Sequence, residues 1–240
     1  MVTRYTELLI MVASRNRPRK LSEMLDSFNK TKTLETEIAI YVADDDPCLE
    51  EYKQVLRNYT HKIGPWMTQG NVFNMFSSEY KNIEFYGTVN DDHIYHTRGW
   101  DQSLTNAIKE KGNGWGLACA NDLMTDWEKF KHPGATIISG NIIRTLGYYT
   151  WPKFRWIGID FAQGALYTRL NRLFYLPEII VEHKHWLNNK AEKDANYQWI
   201  YGEDEQKYGH DLEQEYLRTQ LDIDYNLITE AIRKEKHGRA

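Results

Sequence analysis

The stretch Leu8-Leu9-Ile10-Met11-Val12-Ala13-Ser14-Arg15-Asn16-Arg17-Pro18 runs an apolar segment straight into a polar turn closed by proline. Six consecutive apolar residues mark a strand buried on both faces. Pro18 suits the first turn of a helix. Leu21, Met24, Leu25 and Phe28 then recur at helical spacing, which gives that helix one apolar face. The same unit follows again. Ile38-Ala39-Ile40-Tyr41-Val42-Ala43 ends at Asp44-Asp45-Asp46-Pro47, and Tyr52, Val55, Leu56 and Tyr59 mark the next helix. Further on, Ile83–Val89 enters Asn90-Asp91-Asp92-His93, with a helix through Trp100, Leu104, Ala107 and Ile108. Alternating strands and helices imply an α/β fold, with a mostly parallel central sheet flanked by helices. Such sheets bind ligands beyond the carboxyl ends of their strands, where these polar clusters sit.

The later chain is less regular. Strands are expected at Gly116–Ala120, Ala135–Ser139 and Leu173–Val181, and a helix near Asp160. After Asn188 the sequence turns polar and charged. A division into residues 1–188 and a helical C-terminal extension, 189–240, packed on it, is expected.

Composition narrows the function. The 240 residues carry 34 Asp+Glu and 30 Lys+Arg, a formal net charge of −4, which argues against a broad basic surface for nucleic acid. Cys48 and Cys119 form no CxxC pair, and a reducing, cytoplasmic setting is expected. No apolar run is long enough to span a membrane. No GxxxxGK[ST] or GxSxG motif is present.

The clusters themselves suggest chemistry. Asp91, Asp92 and His93 offer hard ligands for Mg²⁺ or Mn²⁺, the nitrogen favouring Mn²⁺. In an extended segment Asp91 and His93 face one way and Asp92 the other. His183 and His185, two apart in a strand, can point at one site. Either cluster also fits an ordinary solvated turn or strand end. Asp160 fits both a helix N-cap and a general base. Asp44, Asp45 and Asp46 cannot all be buried and ionised without a partner. They fit a turn, or carboxylates accepting hydrogen bonds from a nucleoside with Arg15 or Arg17 on a phosphate.

Taken in order, these segments resemble GT-A-fold glycosyltransferases, particularly small family-2-like enzymes of the bacteriophage type, over about residues 7–186. Ala13, Ser14, Arg15 and Arg17 look like the family's opening turn, and Asp44 and Asp45 like its second strand end. Gly70-Asn71 resembles the segment beneath the diphosphate. Val89-Asn90-Asp91-Asp92-His93 stands at the DxD motif, with His93 in place of the last Asp. Ser139-Gly140-Asn141 resembles the strand end near the acceptor, and Trp156-Ile157-Gly158-Ile159-Asp160 the segment bearing the base. Val181-Glu182-His183 resembles the closing strand that completes the metal shell.

The resemblance implies Mn²⁺ or Mg²⁺, a nucleotide-sugar donor (a UDP-sugar foremost) and inverting transfer to a hydroxyl. It assigns Asp160 as base. Ala13, Ser14, Arg15, Arg17, Asp44, Asp45, Asn71 and Asp91 would contact the donor. Asp92, His93, His183 and His185 would hold the metal, and Gly140 and Trp156 would face the acceptor. That acceptor could be a modified DNA base, a virion protein or a glycan, in the host cytoplasm if the chain is phage-encoded. The alternatives are a metal-dependent phosphodiesterase or nuclease, and a nucleotide-sugar-binding module without turnover.

Overall fold

The computed structural model describes residues 6–238; residues 1–5 and 239–240 lie outside it. The opening unit is β1 (Leu8–Ser14), α1 (Pro18–Thr31), β2 (Thr36–Ala43), α2 (Leu49–Val55), β3 (Thr60–Gly64), α3 (Gln69–Glu79) and β4 (Phe85–Thr88). Then come β5 (His93–Tyr95), α4 (Trp100–Gly112), β6 (Leu117–Asn121), β7 (Thr136–Ser139) and α5 (Gly140–Leu146). The chain continues through α6 (Ile159–Arg169), β8 (Leu173–His183), α7 (Ala195–Ile200), α8 (Glu203–Thr219) and α9 (Leu221–Gly238).

These strands form one sheet of order β3-β2-β1-β4-β7-β6-β8-β5. The expectation of a mostly parallel sheet is corrected: β3, β2, β1 and β4 are parallel, but β4–β7, β7–β6 and β8–β5 are antiparallel. The reason lies in the connections. Helices α1, α2 and α3 follow the first three strands and provide the crossovers that parallel pairing needs. No helix separates β6 from β7, so β7 returns alongside it in the opposite direction.

Successive residues of β1 bury on opposite faces. Leu8, Ile10 and Val12 join one core with α1 and α4, while Leu9 and Met11 join the other with α3, α5 and α6. That is why the run reads as continuously apolar. On the second face the extension completes the core: Leu212, Tyr216 and Ile228 from α8 and α9 are buried in it. Asp224, itself buried, accepts from the Tyr216 hydroxyl at 3.0 Å and the Gln220 amide at 2.8 Å.

One buried carboxylate pins the turn between α1 and β2. Asp101, fully buried at the start of α4, accepts from the Thr33 and Leu34 amides at 2.9 and 2.8 Å. It also accepts from the Thr36 hydroxyl at 2.8 Å. Asp101→Ala strands these donors, so a loss of about 3 kcal/mol in unfolding free energy is expected. Chemical denaturation of the variant checks this. No helix among the described residues is long and apolar enough to cross a membrane.

Candidate functional site

A cleft of about 1160 Å³ opens beyond the strand ends of β1, β2 and β4 and is closed by α6, α7 and α8. At its floor Asn90–His93 forms a tight turn, the His93 amide donating to the Asn90 carbonyl at 3.2 Å. The turn alters the expected alternation of side chains. Asp92 and His93 converge, and Asp91 is the residue that points elsewhere.

Convergence with β8 follows from register. His93 and His183 are direct partners in the antiparallel β5–β8 ladder, so their imidazoles stand on one face. Their rings stack at 4.3 Å with planes 16° apart. Asp92, His93 and His183 each offer a ligand atom, all within 4.8 Å of one another. Asp92 Oδ1, His93 Nε2 and His183 Nε2 are buried without a hydrogen-bond partner. His183 Nε2 and Asp92 Oδ1 lie 3.1 Å apart. Three buried polar atoms gathered this closely and short of hydrogen bonds fit a divalent cation, because burial without a partner is otherwise costly. Two imidazoles and one carboxylate suit Mn²⁺ better than Mg²⁺.

Protonation agrees with this donor set. Burial, and His183 beside it, push His93 down to about 3, leaving it neutral. Burial opposes ionisation of Asp92, yet His183, Arg17 and His93 outweigh it and hold that carboxyl below the usual range. His185 stands apart from the group. Its Nδ1 accepts from the Leu187 amide at 3.1 Å, and its ring meets His183 edge-on at 4.9 Å.

Asp91 turns toward β1, accepting from the Ser14 hydroxyl at 2.7 Å and Arg17 at 3.1 Å. Burial first, opposed by Arg17 and assisted by Asp92, pushes Asp91 up from its ordinary 3.8 to about 6. A carboxyl raised on folding stabilises the fold below its ordinary value and loses that contribution as pH climbs through the folded one. Metal-free protein is therefore expected to lose stability from Asp91 as pH rises from about 4 to about 6. Asp91→Asn should remove that loss, so its unfolding midpoint should gain on the parent's as pH rises through the interval, while the opposite contribution of the buried His93 stays in both.

Arg17 bridges this floor to the extension. It reaches Asp92 at 3.2 Å and grips Asp194 with two bonds of 2.8 Å. Its guanidinium lies 4.1 Å from the Tyr197 ring centre, and the Tyr197 hydroxyl donates to Asp92 Oδ2. Arg15 and Asp45 pair at 2.5 Å on the exposed rim. Ala13, Ser14, Arg15, Arg17, Asp45 and Asp91 thus share the cleft with Asp92, His93, His183, His185, Trp156 and Asp160.

Three expected residues lie elsewhere. Asp44 is exposed and outside the cleft wall; its neighbour Asp46 is the buried one, accepting from the Asn16 and Cys48 amides at 2.8 Å each. Asn71 is exposed on the first turn of α3, and Gln69 faces the cleft in its place, donating to Asn90 at 2.7 Å. Gly140 is buried, where a Cβ would lie 2.3 Å from the Ile83 carbonyl. Close backbone packing explains that glycine without an acceptor.

Asp160 is exposed in the first turn of α6, and Gly158 at φ +96° holds the N-cap position. Asp160 is therefore not the cap; its Oδ1 takes the Phe161 amide at 2.9 Å and the carboxylate opens to the cleft. Residues missed in the sequence come mostly from the extension: Asp194, Tyr197, Trp199, Tyr201 and Glu213. The aromatic cluster Tyr197, Trp199, Tyr201 in a polar tail was the available signal.

No family model and no curated sequence is similar to this chain. Solved structures are. S. aureus TarS 1–349 in complex with UDP-GlcNAc matches with a TM-score of 0.61 and 13% identity, over 95% of this chain and 72% of that one. TarS 1–349 in a separate crystal structure matches at 0.55 and 14%, over 73% of this chain and 59% of that one, so there the likeness spans under two thirds of its length. The mannosyltransferase PcManGT from Pyrobaculum calidifontis, in complex with GDP-Man and Mn²⁺, matches at 0.56 and 11%, over 98% of this chain and 76% of that one. This chain has the fold of these glycosyltransferases. At such identities the likeness is one of fold.

Proposed function

We propose that this protein is a metal-dependent glycosyltransferase that moves a sugar from a nucleoside-diphosphate donor to an acceptor hydroxyl with inversion. One observation carries the reading: the orphaned ligand atoms of Asp92, His93 and His183 meet at the strand-end cleft of a glycosyltransferase fold. Asp92, His93 and His183 would hold the cation, which when bound supplies neutralising charge for a departing diphosphate.

The chain's own residues divide the remaining work. The β1 turn, through Ala13, Ser14 and Arg15 with Asp45 opposite, would seat the nucleoside. Arg17 brings a fixed positive charge to the phosphate side. Asp91 positions Arg17 and Ser14. Asp160 accepts the proton of the acceptor hydroxyl as its oxygen bonds to the anomeric carbon. The bond from that carbon to the diphosphate oxygen breaks, and its electron pair leaves with the nucleoside diphosphate. Trp156 lies on the same segment as Asp160 and would face the acceptor.

UDP- and GDP-sugars incubated with the protein and Mn²⁺ should release nucleoside diphosphate, and chelation should stop the release. Folded protein that neither binds nor cleaves any donor in the panel overturns the reading.

A further inference from the structure

Beside Asp160 the cleft carries an aromatic wall that the donor chemistry leaves unused. Trp66 comes from the loop after β3, Trp156 from the segment before α6, and Trp199 from α7. The three indoles touch: ring centres are 5.6 Å apart for Trp66–Trp156, 5.9 Å for Trp66–Trp199 and 4.6 Å for Trp156–Trp199. They are not core residues. Trp66 and Trp199 are each 46% exposed, and all three line the cleft. Three tryptophans gathered from distant parts of the chain and left open to water mark a binding surface.

Their geometry restricts the ligand. The planes meet at 40°, 84° and 85°, so no two rings are parallel. A flat base gripped between two rings needs parallel faces roughly 7 Å apart, twice a van der Waals contact. The indoles instead pack against one another tilted or edge-on, so their exposed parts offer separate apolar contacts of the kind that suit C–H faces of saccharide rings.

Charge restricts it further. Asp45, Asp91, Asp92, Asp122, Asp160 and Glu213 line the cleft, against Arg15 and Arg17 alone among the described lysines and arginines. Both arginines are already in ion pairs. Beyond the donor's diphosphate, which the cation would neutralise, a polyanionic acceptor finds no unpaired lysine or arginine among the described lining residues. A neutral polyol fits, since carboxylates such as Asp160 and Glu213 accept hydrogen bonds from hydroxyls.

We infer that Trp66, Trp156 and Trp199 form a stacking platform for a neutral oligosaccharide, which is the acceptor. The assignment of that saccharide as acceptor rests on the transferase reading; its binding to the wall does not.

Titration of the full chain with cellotetraose, maltotetraose and chitotetraose, followed by tryptophan fluorescence and calorimetry, tests this without donor or turnover. At least one tetrasaccharide should give a saturable signal that persists in saturating UDP and Mn²⁺. Trp66→Ala and Trp199→Ala, both at exposed positions, should each weaken it about tenfold with unchanged circular dichroism. No saturable binding of any of the three, displacement by UDP, or binding of a dT10 oligonucleotide in their place overturns the platform. Saccharide binding by a protein that cleaves no donor upholds the platform and sinks the transferase. Donor cleavage without saccharide binding does the reverse.

Discussion

His183→Ala is expected to lower Mn²⁺ affinity at least a hundredfold and to slow donor cleavage by about 10²–10³-fold. The substitution removes one of three converging donors and leaves Asp92 Oδ1 and His93 Nε2 orphaned in a buried floor. The fold should survive it, because His183 ends β8 and its pairing with His93 runs through the backbone. Manganese titration monitored by electron paramagnetic resonance reads the affinity directly, and nucleotide release reads the rate. His185→Ala is the paired control. Its Nδ1 is engaged by the Leu187 amide, so its effect on Mn²⁺ affinity should be clearly smaller. Equal losses in the two variants would reassign the ligand set.

Asp160→Asn is expected to reduce kcat by about 10²–10⁴-fold with donor affinity unchanged. The amide keeps the shape and can still accept from the Phe161 amide, so α6 should start as before. What it loses is the ability to take a proton. Donor affinity, measured by calorimetry with an unreactive nucleotide analogue, separates this loss from a binding defect. Full turnover in the variant would remove Asp160 from the base role and turn attention to Glu213, which lines the same cleft. Burial, with Asp160 nearby, raises Glu213 above the ordinary carboxylate range.

Sequence patterning made the first half of the fold legible because its signals are local. Leu8–Ala13 and Ile38–Ala43 are buried on both faces, and each ends in the turn that its polar residues announce. In the second half the expected strands and the helix near Asp160 form, but their mixed pairing was not legible, for a topological reason. β5 spans three residues and pairs with β8 some ninety positions later, so no local periodicity reports it. The same ladder brings the candidate ligands together. His93 and His183 were each visible as candidates, but their alignment exists only once β5 and β8 pair. Asp44, Asp45 and Asp46 read alike as letters; burial separates the structural Asp46 from the rim Asp45. Asn71 illustrates the limit of carrying roles along a motif, since Gln69, two positions away, faces the cleft instead.

The clasp of Arg17 by Asp194 and Tyr197 has a consequence for how the chain is made. The contacts span 177 residues to Asp194 and, from Asp92 to Tyr197, 105 residues. Synthesis runs from the amino end, so β1, the Asn90–His93 turn and even His183 leave the ribosome before the clasp exists. Until Asp194 and Tyr197 emerge, Arg17 lacks its third carboxylate partner and Asp92 lacks its hydroxyl donor. The cleft floor is thus among the last parts of the molecule to mature, and a nascent chain stalled near residue 188 would carry every candidate ligand yet lack the settled floor around them.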